Sequence, residues 1–131
     1  INLSIGFDQY LFFMENKAYG FLSYRYSDED TAGSEFDYAG NFINVGANFS
    51  ILNKVQLQVS YLYNLLEYRN DTASIGKKRR DEKQTARLLI SKQVLETLNF
   101  SFDYQYNINN SNLLSVDSRQ NLMTMKISFS Y

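Results

Sequence analysis

"LETLNFSFDYQYNINNSN", residues 95–112, sets Leu98, Phe100, Phe102, Tyr104, Tyr106 and Ile108 on one parity and Asn99, Ser101, Asp103, Gln105, Asn107 and Asn109 on the other. A two-residue period sorts side chains onto opposite faces of a β-sheet, whereas a helix would spread the same residues around its circumference. The stretch predicts a strand with one oily and one wet face. A half-buried strand of a water-soluble sandwich alternates in the same way, so the rest of the chain must say whether protein or lipid covers the oily side.

The pattern recurs. Period two predicts seven strands, at about residues 1–13, 18–28, 38–51, 55–69, 84–94, 98–110 and 119–131, and no helix competes with them. Val55, Leu57, Val59, Tyr61, Tyr63 and Leu65 oppose Gln56, Gln58, Ser60 and Asn64. Less cleanly, Ile43, Val45, Ala47, Phe49 and Ile51 oppose Asn44, Gly46, Asn48 and Ser50. These runs exceed the roughly 5–6 residues usual in globular sheets and reach the roughly 9–11 that cross a bilayer at a tilt.

The connections alternate as well. "MENK" (14–17), "LN" (52–53) and "LET" (95–97) are tight, while "SDEDTAGSEF" (27–36), "NDTASIGKKRRDEK" (70–83) and "NSNLLSVDS" (110–118) are longer and polar. Short turns at one end and long loops at the other are the asymmetry of outer-membrane barrels. The expected fold is all-β: an antiparallel up-and-down transmembrane β-barrel with about seven long meandering strands. Residues 1–131 form one barrel domain or a C-terminal barrel fragment, with lipid on the apolar face and a polar lumen on the other. A soluble sandwich or lipocalin-like barrel is the competing fold.

Composition agrees and excludes. The chain lacks a run of about 20 apolar residues that could cross a bilayer as a helix. Its 11 Tyr and 10 Phe suit surfaces with one oily and one wet side. With neither Cys nor His, disulfides, thiolate metal sites, usual zinc sites and the Ser-His and Cys-His couples are unavailable. Asp28 and Glu35 could pair, but nothing fixes them in a cleft, and Ala39 stands where the EF-hand-like offsets of Asp28, Asp30 and Gly33 would need a bidentate Glu. No catalytic, cofactor-binding or metal residue is assigned, and an enzyme is not expected. A net charge of −1 gives no global pull toward nucleic acid. "INLSIGFDQY" lacks the basic start and apolar core of a secretory signal, so the chain is expected to be cytoplasmic, already processed, or a piece of something longer.

The final residues carry a resemblance. Met123, Met125, Ile127, Phe129 and Tyr131 step by two to an aromatic end, which resembles the β-signal of Gram-negative outer-membrane barrels, read by the barrel-assembly machinery. Lys126 or Ser128 stands where that signal often has a glycine. More loosely, the last 50 or so residues are similar to β-barrel porins linked to exopolysaccharide export or to periplasmic repeat domains. That likeness rests on Arg79, Arg80, Asp81, Asn109, Asn110, Ser111, Asn112, Asp117, Arg119 and Asn121. The resemblances imply the bacterial outer membrane, with its lipid and lipopolysaccharide, the assembly machinery and periplasmic export partners as contacts, and no nucleic acid. With Tyr131 at the periplasmic side, every tight turn lies in the periplasm and every long loop outside. The first strand then starts at the outer end, which implies a larger barrel or an eight-stranded one short of its first strand.

Individual residues acquire expected places. Asp8, Arg25, Arg87, Asp103 and Lys126 face the lumen, with Arg87, Asp103 and Lys126 as a salt-bridged ladder, either neutralising buried charge or forming a charged constriction. Lys92 faces lipid near an interface, where its amine can snorkel. Gln9 interrupts the apolar parity, and a bulge near Asp8 would swap the phase to expose Tyr10 and Phe12. Tyr24, Tyr26, Tyr61, Tyr63 and Tyr106 form an outer aromatic belt, and Phe49, Phe100, Phe129 and Tyr131 a periplasmic one. Lys77, Lys78, Arg79 and Arg80 sit in an external loop, placed to touch lipopolysaccharide phosphates. The expected function is a porin-like or export channel for solute or polysaccharide. The alternative is a non-conducting barrel that anchors a periplasmic domain or displays loops.

Overall fold

The computed structural model describes residues 2–15, 17–31, 34–51 and 54–129. Seven strands follow one another: β1 (Leu3–Phe13), β2 (Ala18–Glu29), β3 (Tyr38–Ile51), β4 (Val55–Thr72), β5 (Lys77–Leu95), β6 (Leu98–Ser111) and β7 (Ser118–Phe129). They form one antiparallel up-and-down sheet in the order β1-β2-β3-β4-β5-β6-β7. The sheet is open, since β1 and β7 each pair on one side only among the described residues. Short 3-10 turns at Ser34–Phe36 and Leu114–Val116 sit in two of the longer connections. No helix among the described residues is long and apolar enough to cross a membrane.

The register keeps the two parities apart across the whole sheet. One row runs Leu57, Ile90, Phe102, Met125 through β4 to β7, and a row on the other face runs Ser60, Arg87, Gln105, Leu122. No second layer covers either face among the described residues. Among the described residues Ala18, 2% exposed, and Leu66, 7% exposed, are the only buried hydrophobic side chains, whereas Met125 is 83% exposed and Val59, Phe100 and Ile127 also lie open. A sheet that leaves its large apolar residues bare does not obtain its stability from a protein core. A soluble sandwich needs an opposing sheet against that face, and the described residues form one sheet alone.

The structure corrects two expectations of the sequence. Residues 70–83 are not a loop: β4 and β5 continue to Thr72 and Lys77, leaving a four-residue turn, 73–76, closed by N–H donation from Gly76 to the Thr72 carbonyl at 2.9 Å. Gly76 takes φ +61°, a backbone shape that a side chain disfavours. The hairpin therefore overhangs its neighbours, since β3 begins opposite Tyr68 and β6 ends opposite Asp81. Nor is there a bulge near Asp8, because β1 pairs with β2 without interruption from Leu3–Asp28 to Phe13–Ala18. Gln9 stays on the apolar face opposite Leu22, its amide donating to the Tyr10 carbonyl at 3.0 Å. One polar side chain costs less there than broken ladder bonds.

Close approach is enforced at Gly46. A Cβ on this residue would stand 2.5 Å from the Val59 carbonyl oxygen and 2.6 Å from the Phe21 ring, which lies over the gap.

Candidate functional site

The polar face carries the chemistry of the molecule, and three groupings stand on it. At mid-height on β5 and β6, Arg87 donates to both carboxylate oxygens of Asp103, at 2.9 and 2.6 Å. The pair is diagonal, because Arg87 stands directly opposite Gln105 and Asp103 opposite Leu89. Lys126 lies two residue pairs beyond Asp103 toward the tight turns, opposite Ser101, and forms no ion pair among the described residues. The expected three-member ladder is thus one bidentate pair with a separate amine.

On β1 to β4 a second grouping opens into a cleft of about 450 Å³ lined by Asp8, Ser23, Arg25, Phe42, Asn44 and Asn64, among others. Arg25 does not reach Asp8. Its guanidinium lies over the Phe42 ring, 4.4 Å from the centroid, on the directly opposite residue of β3. The Asn64 side-chain oxygen is enclosed without a hydrogen-bond partner. Nearer the tight turns the same face turns aromatic. Tyr10 and Phe21 pair across β1 and β2 with centroids 6.4 Å apart, and Phe12 and Tyr19 pair at 5.6 Å. The absence of a bulge is what puts Tyr10 and Phe12 here.

The third grouping closes the loop end. Asp81, 0% exposed, accepts from Arg79 at 2.9 and 2.5 Å and from the Ser111 hydroxyl at 2.6 Å. An irregularity in register between Glu67 and Asp71 brings Tyr68 beside Arg79, whose guanidinium lies 4.6 Å from the ring centroid. Asn112 ties β6 to the overhang: its amide donates to the Lys78 carbonyl at 2.8 Å, and its side-chain oxygen accepts from the Arg80 N–H at 3.0 Å. Arg79, Arg80, Asp81, Ser111 and Asn112, named above for the export-barrel likeness, therefore meet in one knot. This knot lies on the loop side of Leu65, the last large apolar residue of the apolar parity on β4. Burial alone would raise the Asp81 carboxyl, but the Arg79 guanidinium and Ser111 hydroxyl outweigh it and hold the group below its ordinary range.

The basic run divides accordingly. Arg79 is committed to Asp81, and Arg80 pairs with Glu82 at 3.0 Å, so Lys77 and Lys78 alone of the four make no ion pair among the described residues. They stand on β5 and not in a loop, a correction that follows from the hairpin's length.

The apolar face ends in a hydrogen-bonded rim. Tyr24 on β2 donates to the Asn41 side-chain oxygen on β3 at 2.8 Å, Tyr61 on β4 to Gln84 on β5 at 2.8 Å, and Tyr104 on β6 to Asn121 on β7 at 2.7 Å. Each acceptor is two residue pairs nearer the loop end than its tyrosine. Such rings keep an oily body below and a wet tip above, as interfacial aromatics do. Met123, Met125, Ile127 and Phe129 of the assembly-signal likeness all lie exposed on this face, while Tyr131 is outside the described residues.

Sequence reading missed the Asp81 knot, the Arg25–Phe42 stack and the tyrosine–amide rim. Only the rim left a readable sign, in Asn or Gln following the last apolar residue of its parity toward the loop end on β3, β5 and β7.

No curated protein and no solved structure gives a match to the chain. A family model described as surface lipoprotein assembly modifier matches residues 6–130. With nearly its whole length covered, the chain belongs to the surface lipoprotein assembly modifier family.

Proposed function

We propose that this chain forms wall of a bacterial outer-membrane β-barrel that works in surface lipoprotein assembly, its apolar face against lipid and its polar face lining a passage for lipoprotein polypeptide. One observation carries the reading: seven long strands expose a continuous apolar face with no protein layer over it, in a chain of that family. Hydrocarbon tolerates no unpaired strand edge, so further strands, from elsewhere in the polypeptide or from another copy, join the free edges of β1 and β7. The interior suits a polypeptide better than a single kind of ion. Arg87 and Asp103 cancel, Arg25 and Asp8 supply both signs, and Tyr10, Phe12, Tyr19 and Phe21 supply a greasy stretch.

The chain's lack of cysteine makes the test direct. Single cysteines at Ser101, Asp103 and Gln105 in the full-length protein, in cells, should react with a membrane-impermeant thiol reagent once the outer face is permeabilised. Cysteines at Phe102, Tyr104 and Met125 should not. Equal labelling of both parities rejects the barrel wall. Replacing Tyr10, Phe12, Tyr19 and Phe21 with serine should lower protease-accessible lipoprotein at the cell surface while the barrel keeps its heat-modifiable migration. Unchanged display rejects the polypeptide passage and leaves the anchoring or loop-displaying barrel, with single-channel conductance to detect passage of small solutes or polysaccharide.

A further inference from the structure

At the turn end of β1 and β2 the two faces of the sheet cease to differ. Residues 10–13 read Tyr, Leu, Phe, Phe and residues 19–22 read Tyr, Gly, Phe, Leu, so large apolar side chains stand on both sides of these strands. On the polar face Tyr10 stands opposite Phe21 and Phe12 opposite Tyr19, and a contact between Tyr10 and Tyr19, with centroids 6.1 Å apart, joins the two pairs. The same two rows continue as Gly46 and Asn48 on β3 and as Ser60 and Gln58 on β4, so the rings are confined to one margin of the sheet. Tyr10 is 50% exposed and Phe12 59%, and rings left bare on a wet face are unfavourable until something apolar lies on them.

This surface continues past the polar face. Phe12 is followed by Phe13 on the other side and by Met14, 65% exposed, at the tight turn. Met14 also borders a cleft of about 710 Å³ on the apolar face, whose lining includes Ala18, Phe49, Ile51 and Leu57. Phe13 and Phe49 meet edge to face there, with centroids 6.0 Å apart. An apolar strip therefore runs from the apolar face round the β1–β2 turn onto the polar one without crossing a strand ladder. Glu15 and Lys17 stand in that turn with opposite charges, and Asp8 lies beyond Tyr10 on β1, so nothing here selects a headgroup of one sign.

A passing polypeptide side chain needs rings on the polar face alone. A strip that wraps from one face to the other suits a ligand with its apolar tail toward lipid and its polar body in the lumen. A lipoprotein has that make-up, with acyl chains joined to polypeptide. We propose that this strip seats the acyl chains of the lipoprotein, which lie on Tyr10, Phe12, Tyr19 and Phe21 while the attached polypeptide follows the polar rows of β3 and β4. The inference rests on the passage reading above and names the part of the lipoprotein that takes the rings.

Photocrosslinking in the full-length protein, reconstituted in phosphatidylcholine vesicles, tests it. p-Benzoylphenylalanine replaces Phe12, Phe21 or, as a control in the same row as Phe21, Ser60. The probes are a dipalmitoylated lipopeptide and the same peptide without acyl chains. The ratio of lipopeptide adduct to bare-peptide adduct is expected to be about tenfold higher at positions 12 and 21 than at position 60. An equal ratio at the three positions overturns the proposal. So does an adduct at 12 and 21 with vesicle phosphatidylcholine, or with a segment of the protein itself, in place of the lipopeptide. Tyr10→Ser with Tyr19→Ser should lower the lipopeptide adduct at position 21 and spare the bare-peptide adduct at position 60, and an undiminished adduct at 21 overturns the seat. Should that variant lose its heat-modifiable migration, the ratios in the protein with both tyrosines decide. If the ratios are equal while the bare peptide still reacts at position 60 and cysteine labelling alternates, the passage reading stands without an acyl seat. Loss of the alternation removes both.

Discussion

The Tyr104 hydroxyl donates to the Asn121 side-chain oxygen at 2.7 Å, crossing from β6 to β7 and climbing two residue pairs toward the loop end. The same step is taken from β2 to β3 and from β4 to β5, so the rim repeats every second strand. Tyr104→Phe is expected to cost about 1 kcal/mol in urea unfolding from lipid vesicles, and Tyr104→Phe with Asn121→Leu less than the sum of the single changes. Additivity within error would deny the bond a role.

Asp81 and Asp103 predict unequal losses. Asp81 is enclosed with Arg79, so Asp81→Asn strands a guanidinium and is expected to cost about 3 kcal/mol. Asp103 and Arg87 remain partly open to water, at 19% and 38% side-chain exposure, so Asp103→Asn is expected to cost about 1 kcal/mol or less. Comparing urea midpoints of the two variants checks the order.

Acid acts on the enclosed pair as well. The Asp81 carboxyl is held below its ordinary range, so its contribution is complete above the unfolded-state value and disappears as pH falls through the folded-state one. The unaltered protein should lose stability on acidification below about pH 4 more steeply than Asp81→Asn, measured as unfolding midpoint against pH. Parallel curves would mean that Asp81 contributes no proton linkage.

Two glycines predict different failures. Gly46→Val drives a side chain into the Val59 carbonyl and the Phe21 ring, and should leave the protein unassembled, seen as loss of heat-modifiable migration. Gly76 has open space around it and only its φ of +61° to defend, so Gly76→Ala should assemble with a penalty of about 1 kcal/mol.

The seven strands were legible because alternation acts at each residue, and it was strongest in residues 98–108, where both faces are pure, and in 55–65, where Leu62 alone interrupts the polar parity. It fell silent at "KKRRDEK", polar on both sides, where pairing is held by backbone bonds and by Asn112. Arg87 and Asp103 could be matched by counting from the intervening turn. Asp81 could not be recognised as buried, because Ser111 lies 30 positions away and Arg79 reads as one more solvated cation. Gln9 misled because a parity fault and a bulge look alike in one dimension, and the uninterrupted register with β2 decides between them.

The overhang of β4 and β5 carries the outer rows of this hairpin past the ends of the β3 and β6 ladders, with Asn112 bonded to Lys78 and Arg80 on one flank and Arg69 to Asp37 on the other. Bare ladders immersed in water invite a second molecule to zip alongside. Lys77, Lys78 and Asp71, crowded onto those rows, make such zipping electrostatically awkward, so the projecting tip can stand clear in water without seeding clumps between neighbouring copies.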